Sequence, residues 1–496
     1  MLKRIFPTRS MSVALLILAI VLVRQVSAAP SFTVDSYLDE IDDDINDGMC
    51  HSAANHCTLR AAIMQANKIS GPPSVTINLP PGTYTLSRPR TGPNGDDNGD
   101  LNLTTPAIGV SSPVITIIGA GASTTIIDAN QLDRVLHVHP NRKVTISGVT
   151  IRNGYFSTGS ALDSLGGGIY NEGSLTVSDS TLCQNFTISG GGIYNKGSLS
   201  LINIILSQNI AANHGGGIFN RDGGLTVVNS TISQNSADGS GGGIYNYTGG
   251  GLSVVNSTIS QNSANKNANG THGGGISNFS PLKVSNSTII GNGAYDGGGI
   301  ANFSSLTVIN STISSNNVNN NGGGIYNVST ANVYNTSIVF NRADADANGG
   351  SGGGVYNNPG ATFNLRNTLV AGNTLQNASI ADDCEGAPLN SFGRNLIGED
   401  IFCTLNVVDG SWTYLSSINT LGPLQNNGGP TWTHALLPGS NAIDGADPVF
   451  GCTDINGSTI ATDQRGAARP VGPACDIGAF EYGAKMPWLY LPLILS

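Results

Sequence analysis

Along residues 166–375 the apolar and polar positions repeat at short intervals. Gly-Gly-Gly begins at Gly166, Gly190, Gly215, Gly241, Gly273, Gly297, Gly322 and Gly352, at spacings of 24, 25, 26, 32, 24, 25 and 30 residues. One unit reads Gly-Gly-Gly-Ile-Tyr-Asn, a turn, then Leu-Thr-Val-x-Asn-Ser-Thr-Ile-Ser-x-Asn. The period is too short for a propeller blade and carries no helical spacing. Leu225, Val227 and Asn229 alternate and so share one strand face. Ile232 follows after three residues, and that slip of parity marks a bend into a second strand. Gly241 to Asn246 supplies a third, with Ile244 inward. Three short strands per coil, stacked about 4.8 Å apart, predict an all-β fold, a right-handed parallel β-helix. It should span 75–380, with regular coils over 166–375.

The polar repeats fit this scheme. Asn229, Asn256, Asn286, Asn310 and Asn335 fall at equivalent bends, where stacked amides could bond along the axis. The glycine triplets permit positive φ and close packing. Asn-Ser-Thr also spells a glycosylation sequon, which remains an alternative for these positions. Longer connections at Ala264–Thr271 and Asp344–Ser351 should project from one side, as binding loops or as tolerated insertions.

Upstream, Val75 to Leu79, Tyr84 to Leu86, Ile115 to Ile118, Thr125 to Ile127 and Val144 to Ile151 read as irregular first coils. Thr58 to Lys68 is a helix with Leu59, Ile63 and Ala66 on one face and Thr58 as its cap. It would close the open end of the core. Lys3 and Arg4 before an apolar stretch from Val13 to Val23, then Val26-Ser27-Ala28, read as an export signal, or as an uncleaved N-terminal anchor. The layout expected is a signal peptide at 1–28, a cap at 29–74, the β-helix, a C-terminal module at 381–483 and an apolar tail at 484–496. That tail is either a terminal strand or a sorting segment, and the mature chain should hold no membrane-spanning segment.

Composition sharpens the class. Charged residues are 11% of 496, glycines number 66, and mean hydropathy is near zero. Asn, Ser and Thr stand where a cytosolic enzyme has Lys, Glu and Arg. The net charge of −10 and the lack of a basic stripe exclude nucleic acid as a partner. Seven cysteines in an exported chain suggest disulfides, and spacing favours Cys50–Cys57, Cys384–Cys403 and Cys452–Cys475, leaving Cys183. A monomer is expected.

Specific motifs extend this reading. Asp47-Gly48-Met49-Cys50 followed by Cys57-Thr58-Leu59-Arg60-Ala61-Ala62-Ile63 resembles the CSLREXD-type N-terminal domain of secreted bacterial β-helix proteins. The match departs at Thr58 and Ala61, where that family has Ser and Glu. Leu421-Gly422-Pro423-Leu424, Asn427-Gly428-Gly429-Pro430-Thr431, Ser440-Asn441-Ala442-Ile443-Asp444, Asp463-Gln464-Arg465-Gly466 and Cys475-Asp476-Ile477-Gly478-Ala479-Phe480-Glu481 together resemble the choice-of-anchor Q domain. The coils are similar to polymorphic outer-membrane-protein repeats, with Gly for Ala and Ile232-x-x-Asn235 for the Phe form. These resemblances imply a secreted or surface location, here the cell outer membrane, and define no activity.

Candidate chemistry is sparse. Cleaving a sugar chain needs clustered carboxylates or a Ca²⁺ site beside a base. Between Gly166 and Asn373 the acids are Glu172, Asp179, Asp222, Asp238, Asp296, Asp344 and Asp346, at scattered repeat positions. Asp42, Asp44 and Asn46 have the look of a Ca²⁺ loop, although Gly48 is one place late for its turn, and Asn94 to Asp100 is similarly rich in oxygen. No other cofactor is expected. His137 and His139 share a strand face without a third zinc ligand. Asp382-Asp383 is either an acid pair or a polar loop tied by Cys384, and Asp463 with Arg465 should brace the C-terminal module. Tyr170, Tyr194, Phe219, Tyr245, Tyr326 and Tyr356 follow the inward Ile and should form an outward stripe, broken at Ser277 and Ala301. It would bind a glycan or a cell-surface protein by stacking, or else pack on itself. The functional expectation is therefore display, adhesion or binding without catalysis; alternative: a polysaccharide lyase or glycoside hydrolase of pectin-lyase-like fold.

Overall fold

The computed structural model describes residues 29–486 apart from 72, 91–97, 107–111, 157–163, 377–379, 399–401, 409–412 and 416–419. The export signal, most of the acidic stretch at 94–100 and the apolar tail from 487 onward lie outside the described residues.

The chain is a parallel β-solenoid of the right-handed type. Each regular coil has four strands rather than three. One coil runs Ile244–Asn246, Leu252–Val255, Thr258–Ser260 and Ser263–Ala264. Equivalent strands pair in parallel with the coils on either side and build four walls of 11, 14, 13 and 10 strands, in that order. The fourth strand escapes the apolar pattern because it is two residues long and turns only Ala237 or Ala264 inward. The core is a continuous column of aliphatic side chains, among them Ile244, Leu252, Val254 and Ile259.

Each corner has its own device. From the fourth wall into the first the glycine triplet turns the chain: Gly241 has φ +72, and a Cβ on Gly243 would come within 2.6 Å of the Gly275 carbonyl oxygen one coil on. From first to second wall, Asn171, Asn195, Asn220, Asn246, Asn278, Asn302, Asn327 and Asn357 are buried, each Nδ2 donating to the next Oδ1 at 2.7–2.9 Å. Ser230, Ser257, Ser287 and Ser311 serve the second-to-third corner, where each hydroxyl accepts from the backbone N–H one coil before. A second amide ladder, Asn185 to Asn373, fills the third-to-fourth corner at 2.9–3.0 Å. These amides satisfy backbone groups that would otherwise be buried unpaired.

The ladder therefore does not run through Asn229, Asn256, Asn286, Asn310 and Asn335. All five take left-handed φ of 46–51° as the corner residue itself, and their amides do not bond to one another. A bend needs a residue that tolerates positive φ, and Asn is the best non-glycine choice.

Both ends are tied into the solenoid. Ser31–Thr33 pairs with Ser74–Leu79, so the cap is woven into the first coil. Its helix, Leu59–Lys68, has Thr58 accepting from the Ala61 N–H and packs over the open end of the core. At the other end the walls continue past 380: Cys384–Gly386, Asn395–Ile397, Leu405–Val407 and Thr413–Leu415 all join them. The C-terminal module proper is a hairpin, Leu421–Gln425 with Thr433–Leu436, and the irregular chain to 486. It folds back along the flank of the solenoid. Asn310 Nδ2 donates to the Thr462 carbonyl, Asn367 Nδ2 to that of Gly451, and Thr431 Oγ1 to that of Asn286. Leu436, Ala442, Ile477 and Phe480 bury against Val339, Leu369 and Leu396.

Disulfides join Cys50–Cys57, Cys384–Cys403 and Cys452–Cys475, and Cys183 is free and half-buried.

Candidate functional site

The outer face of the first wall gathers most of the side chains that could contact a ligand. Because Ile193 and Asn195 turn inward, Tyr194 between them faces out, and the register places it beside Tyr170 and Phe219. The full column runs Asn102, His137, Tyr170, Tyr194, Phe219, Tyr245, Ser277, Ala301, Tyr326, Tyr356 and Glu385. A second column lies two residues on: His139, Glu172, Lys196, Arg221, Tyr247, Phe279 and Phe303.

The two columns compensate in size. Where the first shrinks to Ser277 and Ala301, the second supplies Phe279 and Phe303, whose rings continue the stack. Centroid distances run 5.6 Å (Tyr170–Tyr194), 4.7 Å (Tyr194–Phe219), 5.0 Å (Phe219–Tyr245), 5.5 Å (Tyr245–Phe279), 4.4 Å (Phe279–Phe303), 6.2 Å (Phe303–Tyr326) and 5.7 Å (Tyr326–Tyr356). The aromatic stripe is thus unbroken, and it needs residues that a strict reading of one position misses. His214 joins it too, stacked on Tyr245 at 4.6 Å.

Access is uneven. Tyr170, Tyr194, Phe219 and Tyr245 are buried at 2–9% exposure by their neighbours. Tyr247 is 37% exposed, and Phe279, Phe303, Tyr326 and Tyr356 are half-buried. Ring surface is therefore offered to solvent mainly on the later coils. The connections at 264–271 and 344–351 leave the fourth wall and return at the glycine triplets, at the corner beside this stripe.

At its N-terminal end the stripe gives way to charge. Glu172 accepts from His137 Nε2 at 3.2 Å and from Lys196 Nζ at 3.1 Å. The bond from His137, against some burial and with help from Tyr170 and Lys196, holds the Glu172 carboxyl down at about 2. His137 stacks between His139 (3.8 Å) and Tyr170 (4.7 Å). Burial and the neighbouring His137 lower His139 to about 4, and its Nε2 bonds Asn102 Oδ1 at 2.8 Å. Arg134 pairs with Asp100 at 2.6 Å and lies over the Tyr170 ring at 5.3 Å. Burial, with the hydrogen bond to Glu172, pushes the Tyr170 hydroxyl up to about 12. These groups neutralise one another in a compact polar cluster.

The other sequence candidates are dispersed. Asp42 Oδ1 accepts from the Asp44 N–H and Asp44 Oδ1 from that of Asn46, forming successive turns. His51 sits between Asp43 and Asp47. Burial raises Asp42 to about 6. No group of three or more His, Cys, Asp or Glu side chains among the described residues is arranged to hold a metal ion. Asp383 is the last rung of the second amide ladder, accepting from Asn373 N and Nδ2 at 2.9 and 2.8 Å, while Asp382 accepts from the Gly352 N–H at 2.7 Å. Asp463 pairs with Arg465 at 2.6 Å inside the C-terminal module, and Arg465 also lies 3.6 Å over the Phe480 ring. Beside them Arg469 and Glu481, both fully buried, pair at 3.0 Å.

No protein-family model matches this chain, and no curated protein does. Among solved structures the crystal structure of pectate lyase Pel9A matches 92% of this chain and 97% of its own, with a TM-score of 0.39 and 15% identity. No helix among the described residues is long and apolar enough to cross a membrane. The three disulfides are compatible with an extracellular location.

Proposed function

We propose that this chain is an exported β-helix protein that works by binding and display rather than by catalysis, holding a glycan or a cell-surface protein against the outer face of its first wall. The observation that carries this reading is the continuous run of part-exposed rings, Tyr247, Phe279, Phe303, Tyr326 and Tyr356, one per coil across two neighbouring columns of one wall. Coil spacing of about 4.8 Å is close to the length of one pyranose unit, so the solvent-facing edges of successive stacked rings recur at about the repeat of an extended sugar chain. The buried acids support the same reading, since Asp382, Asp383 and Asp463 are taken up by ladder ends and ion pairs. The N- and C-terminal motif resemblances support export and surface location. Binding to a glycan array by the intact chain, lost in Tyr247→Ala and Tyr326→Ala and kept in Tyr194→Ala, is the expected result. Equal binding by all three variants would remove the stripe from the argument.

A second reading, polysaccharide cleavage as a lyase or hydrolase, is favoured by the Tyr170–Glu172–His137–Lys196 cluster. It predicts turnover of an acidic or neutral polysaccharide, tested with and without added Ca²⁺, that disappears in Glu172→Gln.

A further inference from the structure

The C-terminal module covers the third wall from Thr288 onward and leaves the earlier coils bare. At that step lies a cleft of about 450 Å³, within the usual range of small-ligand sites. Its floor is the outward row Thr231, Thr258, Thr288, one hydroxyl per coil in register, with Ser260 and Gln261 beside it. Its far side is Leu424 and Trp432 of the hairpin.

Trp432 is 55% exposed although its backbone is firmly held. Its carbonyl accepts from Thr288 Oγ1 at 2.7 Å and from Gln464 Nε2 at 3.0 Å. Gln464 Nε2 also reaches Thr288 and Thr431 at 2.9 Å each, and its Oε1 accepts from Thr312 Oγ1 at 2.6 Å. A large apolar side chain is thus carried on a held backbone at the mouth of a cleft, so little backbone ordering remains to be done on binding. None of the lining side chains carries a charge. Gln261 accepts from Gln234 Nε2 at 3.2 Å, which leaves its own Nε2 facing outward as a donor.

We propose that this cleft binds an uncharged oligosaccharide. Trp432 stacks on the apolar face of one pyranose ring, and Thr231, Thr258 and Gln261 hydrogen-bond its hydroxyls and those of the next unit. An indole face beside a row of neutral donors and acceptors fits a sugar better than an ion or a purely apolar ligand. Charged glycans are disfavoured, since no cation lines the cleft to offset their desolvation. This site is separate from the first-wall stripe and does not rest on it.

Calorimetric titration of the intact chain with xylohexaose, cellohexaose, mannohexaose, galactohexaose and hexagalacturonate tests it. At least one neutral hexasaccharide should bind and hexagalacturonate should not. Trp432→Ala should weaken binding at least tenfold without lowering the melting temperature, Trp432→Phe should restore part of it, and Thr258→Val should weaken it severalfold. Lys283→Ala, on the exposed face of the second wall and outside both the cleft and the stripe, should leave it unchanged. Absence of binding by all four neutral sugars, or affinity unaltered in Trp432→Ala, would overturn the proposal.

Discussion

The rings of Phe279 and Phe303 lie parallel, 2° apart with centroids 4.4 Å from one another, two residues beyond Ser277 and Ala301 on the same face. They close the gap left by those small residues, so one aromatic surface is built from two alternating positions.

That relationship predicts coupling. Ser277→Tyr alone should destabilise, because Phe279 already fills the space, whereas Ser277→Tyr with Phe279→Ala should recover much of the loss. A double-mutant cycle by chemical denaturation should give an interaction energy of about 0.5–3 kcal/mol. Additive effects would mean the two positions do not compete.

The amide ladders should be far more sensitive than the corner asparagines. Asn262 Oδ1 accepts from Asn235 N and Nδ2, and its Nδ2 donates to the Ile232 carbonyl and to Asn292 Oδ1, all at 2.9–3.0 Å. Asn262→Ala strands these groups in the core, at a cost of about 2–4 kcal/mol. Asn229 is exposed with φ +50, so Asn229→Gly should change stability by under about 1 kcal/mol. Denaturation midpoints of the two variants compare them directly; equal losses would contradict the ladder assignment.

His139 gives the fold a defined acid sensitivity. Its ordinary value is 6.5 and burial lowers it to about 4, so the unfolded chain takes up the proton first. Stability from the neutral ring is complete above pH 6.5 and is lost as pH falls through 6.5 toward 4, on the order of 2 kcal/mol after solvent screening. Glu172, held down at about 2, contributes stability present above its usual 4.5 and lost only below that. Melting temperature followed from pH 7 to 4.5 should therefore fall more steeply in the wild type than in His139→Gln. Parallel curves would exclude this role.

The C-terminal module should detach when its internal ion pair is broken. The Arg469 and Glu481 side chains have no access to water, so Arg469→Met leaves the buried Glu481 carboxylate without its cation and with only the Val471 and Asp476 N–H groups as partners, costing about 3–5 kcal/mol. Limited proteolysis should then remove the chain after about residue 420 while the solenoid keeps its β-sheet circular dichroism. Simultaneous loss of both would show that the coils depend on the module.

Much of the coil was legible because burial imposes a period: Ile244, Leu252, Val254 and Ile259 recur wherever the wall must turn inward. Corner chemistry was harder to read. Asn229 continues the alternation of Leu225 and Val227 and so looks inward, yet the chain turns at that residue and Ser230 takes the buried place. Asn246, a true rung, keeps step with inward Ile244 but is polar at an apolar place, and Asn262 stands between two strands where alternation stops being a guide. Phe279 and Phe303 were missed because they compensate from two residues away. The docking of Gln464 on Thr288 joins residues 176 apart and has no periodic trace.

The flank position of the C-terminal module alters how the molecule would carry a mechanical load. Tension applied near Glu481 reaches the coils through Asn286, Asn310, Thr312, Arg366 and Asn367, spread over several turns and loaded together in shear. The terminal turn is spared the full pull, and the column resists being unwound strand by strand from its end.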